Sequence, residues 1–336
     1  MKLQRLREIL ERAAKKRIAV AGDLMLDEFV WGKVGRISPE APVPVVEVSS
    51  ESFYPGGAAN VARNLREFTD KVSVMGMVGT DNSGGQLVEL LRAQKIETDL
   101  VLQDCDFRTI VKTRIIARNQ QVVRVDREEQ RAPREEQIVQ LTGRLREIVP
   151  QLDAFIFEDY GKGFLDPMLV RQMSRDLEVG GKIATADPNP HHQVDWGKIT
   201  AVKPNRAEAI QAAGMLASDP IDPPLEDTAL LTAGLRLLSN WHAQMLLITL
   251  GEQGMLLLER NQPPHHIPTK ARQVFDVSGA GDTAIALFTL ALACDATPLE
   301  AAEIANHASA VVVGKLGTAT VTPAELIASF EDDNSA

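Results

Sequence analysis

The segment DVSGAGDTA, residues 276–284, joins a glycine-rich turn to an aspartate at the start of an apolar helical pattern. Glycines leave backbone N–H groups unshielded, and at a helix start these donors and the helix dipole form a site for an anion. Asp282 lies in the first helical turn, where its carboxylate could take a proton from a hydroxyl that attacks a bound phosphoryl group. The alternative is a helix start that only turns and caps the chain, and the segment taken alone favours that alternative.

Three further segments repeat this combination of tight turns and polar side chains. PGGAANVARNL (55–65) opens a second helix with Asn60 one turn in, and ITLGEQG (248–254) ends a strand in a glycine turn. In KPNRAE, Asn205 and Glu208 are three residues apart, so both side chains face the same side of a helical turn. A plain helix cap with an acidic first turn would use the same two residues. Together, the segments favour a site for a phosphorylated ligand.

Residues 109–126, TIVKTRIIARNQQVVRVD, predict a two-stranded hairpin that turns near Asn119. The alternation of side chains along a strand places Lys112 and Arg114 on one face. Converging cations suit a phosphate group, and the fork of an arginine allows a bidentate contact. The alternative is that these charges protect the edges of a projecting sheet from aggregation.

The elements that position these residues follow from an alternation of strand and helix patterns. Short apolar runs such as 17–26 and 154–161 end in polar residues or glycine, and helical patterns lie between them. The alternation predicts an α/β fold in which helices cover both faces of a mostly parallel sheet. The binding crevice of such a sheet lies at the carboxyl ends of its strands, where Asp23, Asp159 and Asp187 are expected.

Two segments interrupt this alternation. Residues 30–50 are rich in proline, and residues 107–127 contain the predicted hairpin. We expect both segments to form a small β sheet that projects from the main domain as a lid. The alternation resumes after the proline-rich stretch 219–227, so residues 1–336 are interpreted as a single domain.

Composition excludes several classes of function. A formal net charge of -10 argues against a general nucleic-acid binder, which would need a basic surface. The two cysteines, Cys105 and Cys294, are far apart and suit a reducing compartment. No stretch approaches the roughly 20 apolar residues of a membrane span. We therefore expect a cytoplasmic protein whose partners are small molecules, without nucleic acid or membrane.

These motifs together resemble the ribokinase-like (PfkB) family of carbohydrate kinases, from Arg17 to about Phe330. The resemblance implies a three-layer αβα sandwich with a mostly parallel central sheet and a small projecting β lid. It also implies ATP-dependent phosphorylation of a sugar with Mg²⁺, and Asp276 matches a position that the family associates with a monovalent cation. Lids of the family often pair between subunits, so the resemblance implies a homodimer through the lid.

The resemblance also implies a role for each matching residue. Asp282 would be the catalytic base, and the amides around Gly279, Ala280 and Gly281 would hold the γ-phosphate. The nucleotide would be bound by Asn205, Arg206, Ala207, Glu208, Thr249, Gly251, Gly254, Asn306 near the adenine, and Gly317 at that end of the pocket. The metal would be held by Glu208 and Asp187. The sugar would be bound by Asp23, Asp27, Gly56, Gly57, Asn60, Lys112, Arg114, Asp159 and Lys162. Two of these sugar-binding residues have alternative roles. Asp23 could belong to a turn at the end of its strand, and Asp27 could be a solvated side chain.

Within the family, five stretches resemble the kinases that phosphorylate D-glycero-D-manno-heptose 7-phosphate at the anomeric hydroxyl for ADP-heptose and lipopolysaccharide core synthesis. They are residues 22–48, 55–62, 112–126, 159–163 and 314–326. The chain departs from those kinases in one respect, since DPNP (187–190) stands where they carry D-P-K-G and KPN (203–205) where they carry T-P-N. This departure puts the contacts on the nucleotide side in doubt.

Other functions remain open on the sequence. One is a kinase of the same fold that acts on fructose 6-phosphate, ribose or 2-keto-3-deoxygluconate. Another is a nucleotide- or sugar-binding protein without catalysis, although the intact GAGD segment argues against it. None of the six histidines lies in an H-x-G-H motif, so we expect no adenylyltransferase domain.

Overall fold

The structure is a computed structural model that describes residues 1–118, 120–192, 194–271, 274–315 and 317–334. Asn119, at the predicted hairpin turn, lies outside the described residues. In chain order, the strands are β1 (Arg17–Gly22), β2 (Leu24–Ile37), β3 (Pro44–Gly57), β4 (Lys71–Gly79), β5 (Glu97–Asp104), β6 (Ile110–Ala117), β7 (Gln120–Arg127), β8 (Ala154–Glu158), β9 (Ile183–Asp187), β10 (Ala201–Val202), β11 (Met245–Thr249), β12 (Met255–Glu259) and β13 (His265–Ile267).

In chain order, the helices are α1 (Leu3–Ala13), α2 (Ala58–Arg66), α3 (Asn82–Ala93), α4 (Glu135–Ile148), α5 (Pro167–Val179), α6 (Arg206–Ala212), α7 (Thr228–Asn240), α8 (Ala280–Ala293), α9 (Pro298–Val313) and α10 (Pro323–Asn334). Among the residues that the structure describes, no helix is both long and apolar enough to cross a membrane.

The described part of the chain forms a large sheet with the strand order β13-β12-β11-β10-β9-β8-β1-β4-β5. Neighbouring strands are parallel from β5 to β11, and β12 and β13 add antiparallel pairs at one edge. The register places Gly22 opposite Glu158 and Glu158 opposite Asp187. The carboxyl ends of β1, β8 and β9 therefore lie side by side, as the strand–loop pattern predicts.

Helices cover both faces of this sheet, so the core is divided into two apolar clusters. Strand β1 shows the reason, because side chains alternate along a strand. Ile18 and Val20 join one cluster, whereas Ala19 and Ala21 join the other. The first cluster is completed by α1, α2, α3, α8, α9 and α10, and the second by α4, α5, α6 and α7. The predicted three-layer αβα arrangement is confirmed.

Helix α8 lies in the interior, where it packs against α2, α9 and the ends of β8 and β9. Every residue from Asp282 to Ala293 is buried. A helix that is apolar all round is typical of a protein interior. Because Asp282 in the first turn is itself buried, its charge must be balanced by other groups of the protein.

A second sheet has the strand order β3-β2-β6-β7 and contains both predicted lid segments. Strand β2 pairs antiparallel with β3 and parallel with β6. The two long strands extend further towards the body than predicted, because β2 begins at Leu24 and β3 ends at Gly57. Most residues from Leu24 to Val30 are buried, so no polar alternation marks the point where the body ends and the lid begins.

Candidate active site

The Asp282 carboxylate is the centre of the polar residues at the carboxyl edge of the large sheet. Gly279 has a φ of +79°, in the left-handed region that glycine adopts easily, and turns the chain into α8. One carboxylate oxygen of Asp282 accepts a hydrogen bond from Asn60 Nδ2 at 2.6 Å, and the other accepts one from the Tyr160 hydroxyl at 2.8 Å. Since a carboxylate has about four acceptor positions, Asp282 is fixed in place and can still accept another proton.

The electrostatic state of Asp282 follows from these contacts. Burial raises the pKa of Asp282, while the hydrogen bonds from Asn60 and Tyr160 and the charge of Lys203 lower it. The side chain is therefore a base whose proton affinity is set by its partners rather than by water.

Asn60 orients Asp282, whereas the sequence predicts it on the floor of a sugar site. It is held in turn by α2 and α8, because Asn64 Nδ2 donates to the Asn60 carbonyl at 3.0 Å and the Thr283 hydroxyl donates to Asn64 Oδ1 at 2.9 Å. Asn60 Oδ1 is buried and has no partner among the described residues. That oxygen remains an acceptor beside Asp282 for a hydroxyl donor.

Tyr160 is a site residue that the sequence interpretation missed. It lies in the segment DYGKG between two predicted residues, and its burial raises the pKa of its hydroxyl well above the usual range. The hydroxyl is therefore a neutral donor to Asp282. Only the contact with a residue more than a hundred positions away reveals this role.

Asp23 anchors the loop that carries Tyr160. Its carboxylate accepts backbone N–H groups of Tyr160 at 3.1 Å, Lys162 at 2.9 Å and Phe164 at 3.1 Å. The side chain is 2% exposed, and burial raises its pKa to about 6 against these three bonds. The contacts correspond to the strand-end turn that is the alternative to a direct sugar contact.

Asp159, which is predicted to bind the sugar, contacts other residues of the protein in this structure. One oxygen lies 2.7 Å from His192 Nδ1, and the other accepts the Gly161 N–H at 2.8 Å. Burial raises the pKa of Asp159, and His192 opposes this effect. His192 belongs to the segment in which the chain departs from the family pattern, so this pair ties that segment to the site.

The start of α8 supplies the expected amide cluster in part. The Ala280 N–H donates to the Val277 carbonyl at 3.2 Å, so it is engaged within the turn. The Gly281 N–H has no recorded partner among the described residues. A side chain at Gly281 would point at Lys203 Nζ, 3.6 Å from an added Cβ atom. The Gly281 N–H and the Lys203 ammonium group are therefore the donors that lie together at this helix start, and Gly279 forms the turn.

Lys203 is the second site residue that the sequence interpretation missed. Its ammonium group is 2.8 Å from Asp187 Oδ2, and the side chain is 3% exposed. Asp187 raises the pKa of Lys203 against the effect of burial, so the lysine stays charged. Burial, followed by the charges of Asp187 and Asp282, holds the pKa of Glu158 well above its usual range. One lysine thus balances a group of buried carboxyl side chains.

The pair Asn205 and Glu208 forms a reciprocal helix cap at the start of α6. Asn205 Oδ1 accepts the Glu208 N–H at 2.9 Å, and Glu208 Oε2 accepts the Asn205 N–H at 2.7 Å. Arg206 points away from the site, because its guanidinium binds the Ser218 carbonyl and Asp227. Ala207 is exposed and, like Arg206, is absent from the lining of the cavity described next. The capping alternative accounts for the contacts of this motif, and a role in nucleotide binding stays a prediction for Asn205 and Glu208.

A cavity of about 520 Å³ lies beside Gly281. Its walls combine the strand-end turn of β11, the segment before α8 and the inner face of α9. The predicted nucleotide-side residues that line it are Thr249, Gly251, Gly254 and Asn306, together with Ala280 and Gly281. Asn306 is further fixed by donating to the Pro268 carbonyl at 2.7 Å. The size and the largely apolar walls suit a flat ring system with phosphates directed towards Gly281.

Gly317 is not among the residues that line this cavity. Its N–H donates to Asp276 at 3.1 Å, and the Ser278 N–H donates to the same carboxylate at 2.9 Å. A Cβ atom at Gly317 would lie 3.9 Å from the Phe29 ring of β2. Gly317 therefore lies near the lid strand β2, and its role at the adenine end stays a prediction.

The predicted sugar-side residues gather where the lid joins the body. Arg114 forms an ion pair with Asp27 at 2.5 Å, and Lys112 and Lys162 both contact Glu128. An added Cβ atom at Gly56 would lie 2.6 Å from Asp27 Oδ2, so the absence of a side chain makes room for this carboxylate. Gly57 directly precedes α2, which carries Asn60. The predicted cations thus converge, and each has an acidic partner.

The carboxylates predicted for magnesium, Asp187 and Glu208, lie near each other. Burial raises the pKa of Asp187 to about 7, Lys203 opposes this, and the charge of Glu208 raises it further. Among the described residues, only Asp104, Cys105 and Asp106 bring three ligand atoms within 4.8 Å of one another. Magnesium commonly keeps several waters and binds through one or two carboxylates plus substrate phosphates. Asp187 and Glu208 fit an ion of that kind.

The chain also matches a known protein family over most of its length. The model of the pfkB family carbohydrate kinases matches residues 15–325. The bifunctional protein HldE of Desulfatibacillum aliphaticivorans is 42% identical over 316 residues, which are 94% of this chain and 63% of that protein. HldE of Caulobacter vibrioides is 42% identical over 317 residues, with the same coverage of 94% and 63%. The chain thus spans less than two thirds of the length of these curated relatives.

Solved structures share the fold. Ribokinase of Arabidopsis thaliana, complexed with ribose and ATP, matches with a TM-score of 0.70 at 17% identity, covering 94% of this chain and 99% of that one. Phosphofructokinase-2 of Escherichia coli, in complex with potassium, matches with a TM-score of 0.75 at 19% identity, covering 94% of this chain and 98% of that one. These likenesses establish the architecture of the three layers and the lid.

The buried ion pair of Lys203 predicts a large effect on stability. Replacing Lys203 by Met leaves Asp187 and Glu158 buried without their cation, so the free energy of unfolding should fall by about 3–5 kcal/mol. Urea unfolding followed by tryptophan fluorescence measures this change. Lys198→Met is the matched control, because Lys198 makes an ion pair of 2.7 Å with Glu178 on the surface. Equal midpoints for the two variants would show that Lys203 does not hold this cluster together.

Proposed function

This chain belongs to the pfkB family of carbohydrate kinases and is an ATP-dependent sugar kinase, and we propose that its substrate is D-glycero-D-manno-heptose 7-phosphate. The product is the 1,7-bisphosphate, a precursor for ADP-heptose and lipopolysaccharide core synthesis. The observation that carries the proposal is the buried Asp282 carboxylate, which Asn60 and Tyr160 hold next to Gly281, a residue of the cavity wall.

Asp282 acts as the base in this proposal. As the anomeric oxygen forms its bond to the γ-phosphorus, the bond from that phosphorus to the bridging oxygen breaks and ADP leaves. The hydroxyl proton moves to the Asp282 carboxylate. Tyr160 keeps this carboxylate ionised and oriented, and Asn60 Oδ1 offers a second acceptor for a sugar hydroxyl.

The Gly281 amide and the Lys203 ammonium group stabilise the negative charge of the transferred phosphoryl group. Fixed donors in a buried site stabilise developing charge strongly, because they need no reorganisation during the reaction. Lys203 lies next to Gly281 and is already paired with Asp187. When bound, magnesium neutralises the phosphates of ATP, and Asp187 and Glu208 would hold it through water. Asp276 is our candidate for a monovalent cation site.

The cavity lined by Thr249, Gly251, Gly254 and Asn306 receives the nucleotide in this proposal. The lid receives the sugar phosphate. Arg114 pairs with Asp27, and Lys112 and Lys162 pair with Glu128, so three cations are available to a substrate phosphate. A neutral sugar has no negative charge to bind these cations. This feature favours heptose 7-phosphate over ribose and 2-keto-3-deoxygluconate.

We also propose that residues 1–336 act as a single kinase domain, cytoplasmic and homodimeric through the lid. Support for the dimer comes from exposed apolar side chains on the edge strands of the lid, namely Val48, Val122, Val123 and Val125. Edge strands with exposed apolar residues are ready to pair with another chain.

A substrate panel tests the proposal directly. ADP release should be fastest with heptose 7-phosphate, compared with fructose 6-phosphate, ribose and 2-keto-3-deoxygluconate at equal concentration. Faster turnover of fructose 6-phosphate would support the second sugar-phosphate candidate. Activity on a neutral sugar and none on heptose 7-phosphate would overturn the proposed substrate.

Replacing Asp282 by Asn should lower kcat by about 10²–10⁴-fold, because the amide cannot take the hydroxyl proton. The Kd for ATP should stay within about twofold, since Asp282 is not among the described residues that line the cavity assigned to the nucleotide. Asp295→Asn is a control, because Asp295 is an exposed aspartate that pairs with Arg12. Near wild-type turnover of the Asp282 variant would contradict its role as the base.

Tyr160→Phe tests how the base is tuned. Loss of the hydroxyl removes a hydrogen bond that favours the ionised form, so the pKa of Asp282 should rise. The acidic limb of the pH profile of kcat/KM should therefore move to higher pH by about one unit. Tyr54→Phe is the matched control, because Tyr54 contacts Phe29 and Arg63 through its ring. A lower kcat with an unmoved acidic limb would contradict the proposed tuning.

A further inference from the structure

One carboxylate, Glu128, joins two lysines at the sugar end of the site. Its Oε1 atom accepts a hydrogen bond from Lys112 Nζ at 2.7 Å, and its Oε2 atom accepts one from Lys162 Nζ at 2.5 Å. Lys112 lies on β6 of the lid, whereas Lys162 lies in the loop that Asp23 anchors to the body. Glu128 thus bridges two cations from different parts of the molecule.

The surroundings of Glu128 distinguish this bridge from an isolated surface ion pair. The side chains of Lys112, Lys162 and Glu128 are 14%, 22% and 27% exposed. Burial raises the pKa of Glu128, but the hydrogen bonds from the two lysines outweigh it and lower the pKa, so the carboxylate is charged. Two ammonium groups held this close repel each other unless an anion lies between them.

The segment that follows Glu128 is also fixed to the body. The Arg131 N–H donates to the Lys162 carbonyl at 2.9 Å, and Gln130 Nε2 donates to the Gly161 carbonyl at 3.0 Å. The bridge between Glu128 and the lysines is therefore held by backbone contacts as well as by charge.

The bridge is connected to Asp282 from two sides. On the body side, Lys162 follows Tyr160 by two residues, so their Cα atoms are at most about 7 Å apart, and the Tyr160 hydroxyl contacts Asp282. On the lid side, Lys112 is the register partner of Asp27, whose charge raises the pKa of Asp282. The bridge thus belongs to the same loop and the same strand pair as residues that act on the base.

We propose that Glu128 occupies the position of the substrate's distal phosphate until the substrate binds, and so determines specificity. Two phosphate oxygens replace the two carboxylate oxygens between Lys112 and Lys162, and the Glu128 side chain turns towards solvent. The inference rests on the proposed sugar-phosphate substrate. Lys112 also lies 3.4 Å from Asp126, which pairs with Arg124 at 2.9 Å. Lys112, Lys162 and Glu128 together carry one net positive charge, and a phosphate in place of the Glu128 carboxylate brings one more negative charge to the two lysines.

This arrangement makes the subsite selective. A neutral sugar leaves Glu128 between the lysines and gains nothing from them. Free phosphate must compete with the tethered carboxylate without any second contact at Asp282. Only a sugar phosphate that engages both ends of the site displaces Glu128 with a net gain.

Glu128→Gln tests the inference, because it removes the competing charge and keeps the shape of the side chain. The KM for the sugar phosphate should fall about three- to tenfold, since two partly exposed ion pairs no longer compete with the substrate. Inorganic phosphate should become a stronger inhibitor against the sugar phosphate by a similar factor. Glu129→Gln is the matched control, because Glu129 is the neighbouring carboxylate and accepts the exposed Arg108 N–H at 3.3 Å instead of a lysine. It should change neither value.

An unchanged or higher KM for the sugar phosphate in Glu128→Gln would overturn the inference, because Glu128 would then be a bystander or would position the lysines. An unchanged KM for ATP would show that the nucleotide side of the variant is correctly folded. The substrate panel tests the proposed function separately. If the wild-type enzyme phosphorylates only neutral sugars, the proposed function fails, whatever the result for Glu128→Gln. Phosphate-induced thermal stabilisation gives a readout without turnover, and it should be larger in Glu128→Gln than in the wild type.

Discussion

A carboxylate in the first turn of a buried helix is the constraint on which the rest of the site depends. An ionised side chain in that position is costly unless hydrogen bonds and opposite charge replace its water. Asn60 from α2, Tyr160 from the loop after β8 and Lys203 from the end of β10 supply them from three separate elements. The layers of the fold must therefore meet at Asp282, and the cavity on one side and the lid on the other are arranged around that meeting point.

Charge balance at the strand ends involves the segment in which this chain departs from the kinases it resembles. The resemblance assigns a lysine two residues after Asp187, and this chain has Asn189 there. Asn189 shapes its own turn by accepting the His191 N–H at 2.9 Å. The cation beside Asp187 is Lys203, which follows the neighbouring strand β10 and lies 2.8 Å from the carboxylate. The Asp187 carboxylate therefore has a cationic partner in this chain although position 189 is not a lysine.

The sequence predicts the parts of the site that local pattern controls. The strand ends and the glycine turn before α8 follow from strand–turn–helix order, and the parallel register places the ends of β1, β8 and β9 side by side. Thr249, Gly251 and Gly254 follow from the family resemblance, and they line one cavity. The roles of Tyr160, Lys203 and Glu128 depend on partners far away in the chain, so spacing could not reveal them. The same limit explains Arg206, which binds the distant Asp227 instead of facing the cavity. Gly317 shows a related limit, because the direction of a turn after a helix is set by tertiary contacts such as that with Asp276.

Strand β2 connects the lid to the candidate active site. This strand begins beside Asp23 in the body and continues into the lid, so Asp27 lies where the two sheets meet. Movement of the lid would carry Lys112 and Arg114 with β6, whereas Lys162 stays with the loop that Asp23 holds. The cations of the sugar end thus belong to two bodies, and the distance between them depends on the position of the lid. Glu128 is the anion that Lys112 and Lys162 share in this structure. It ties strand β6 of the lid to the loop that Asp23 holds, so the lid is fastened to the body at the sugar end as well as through β2.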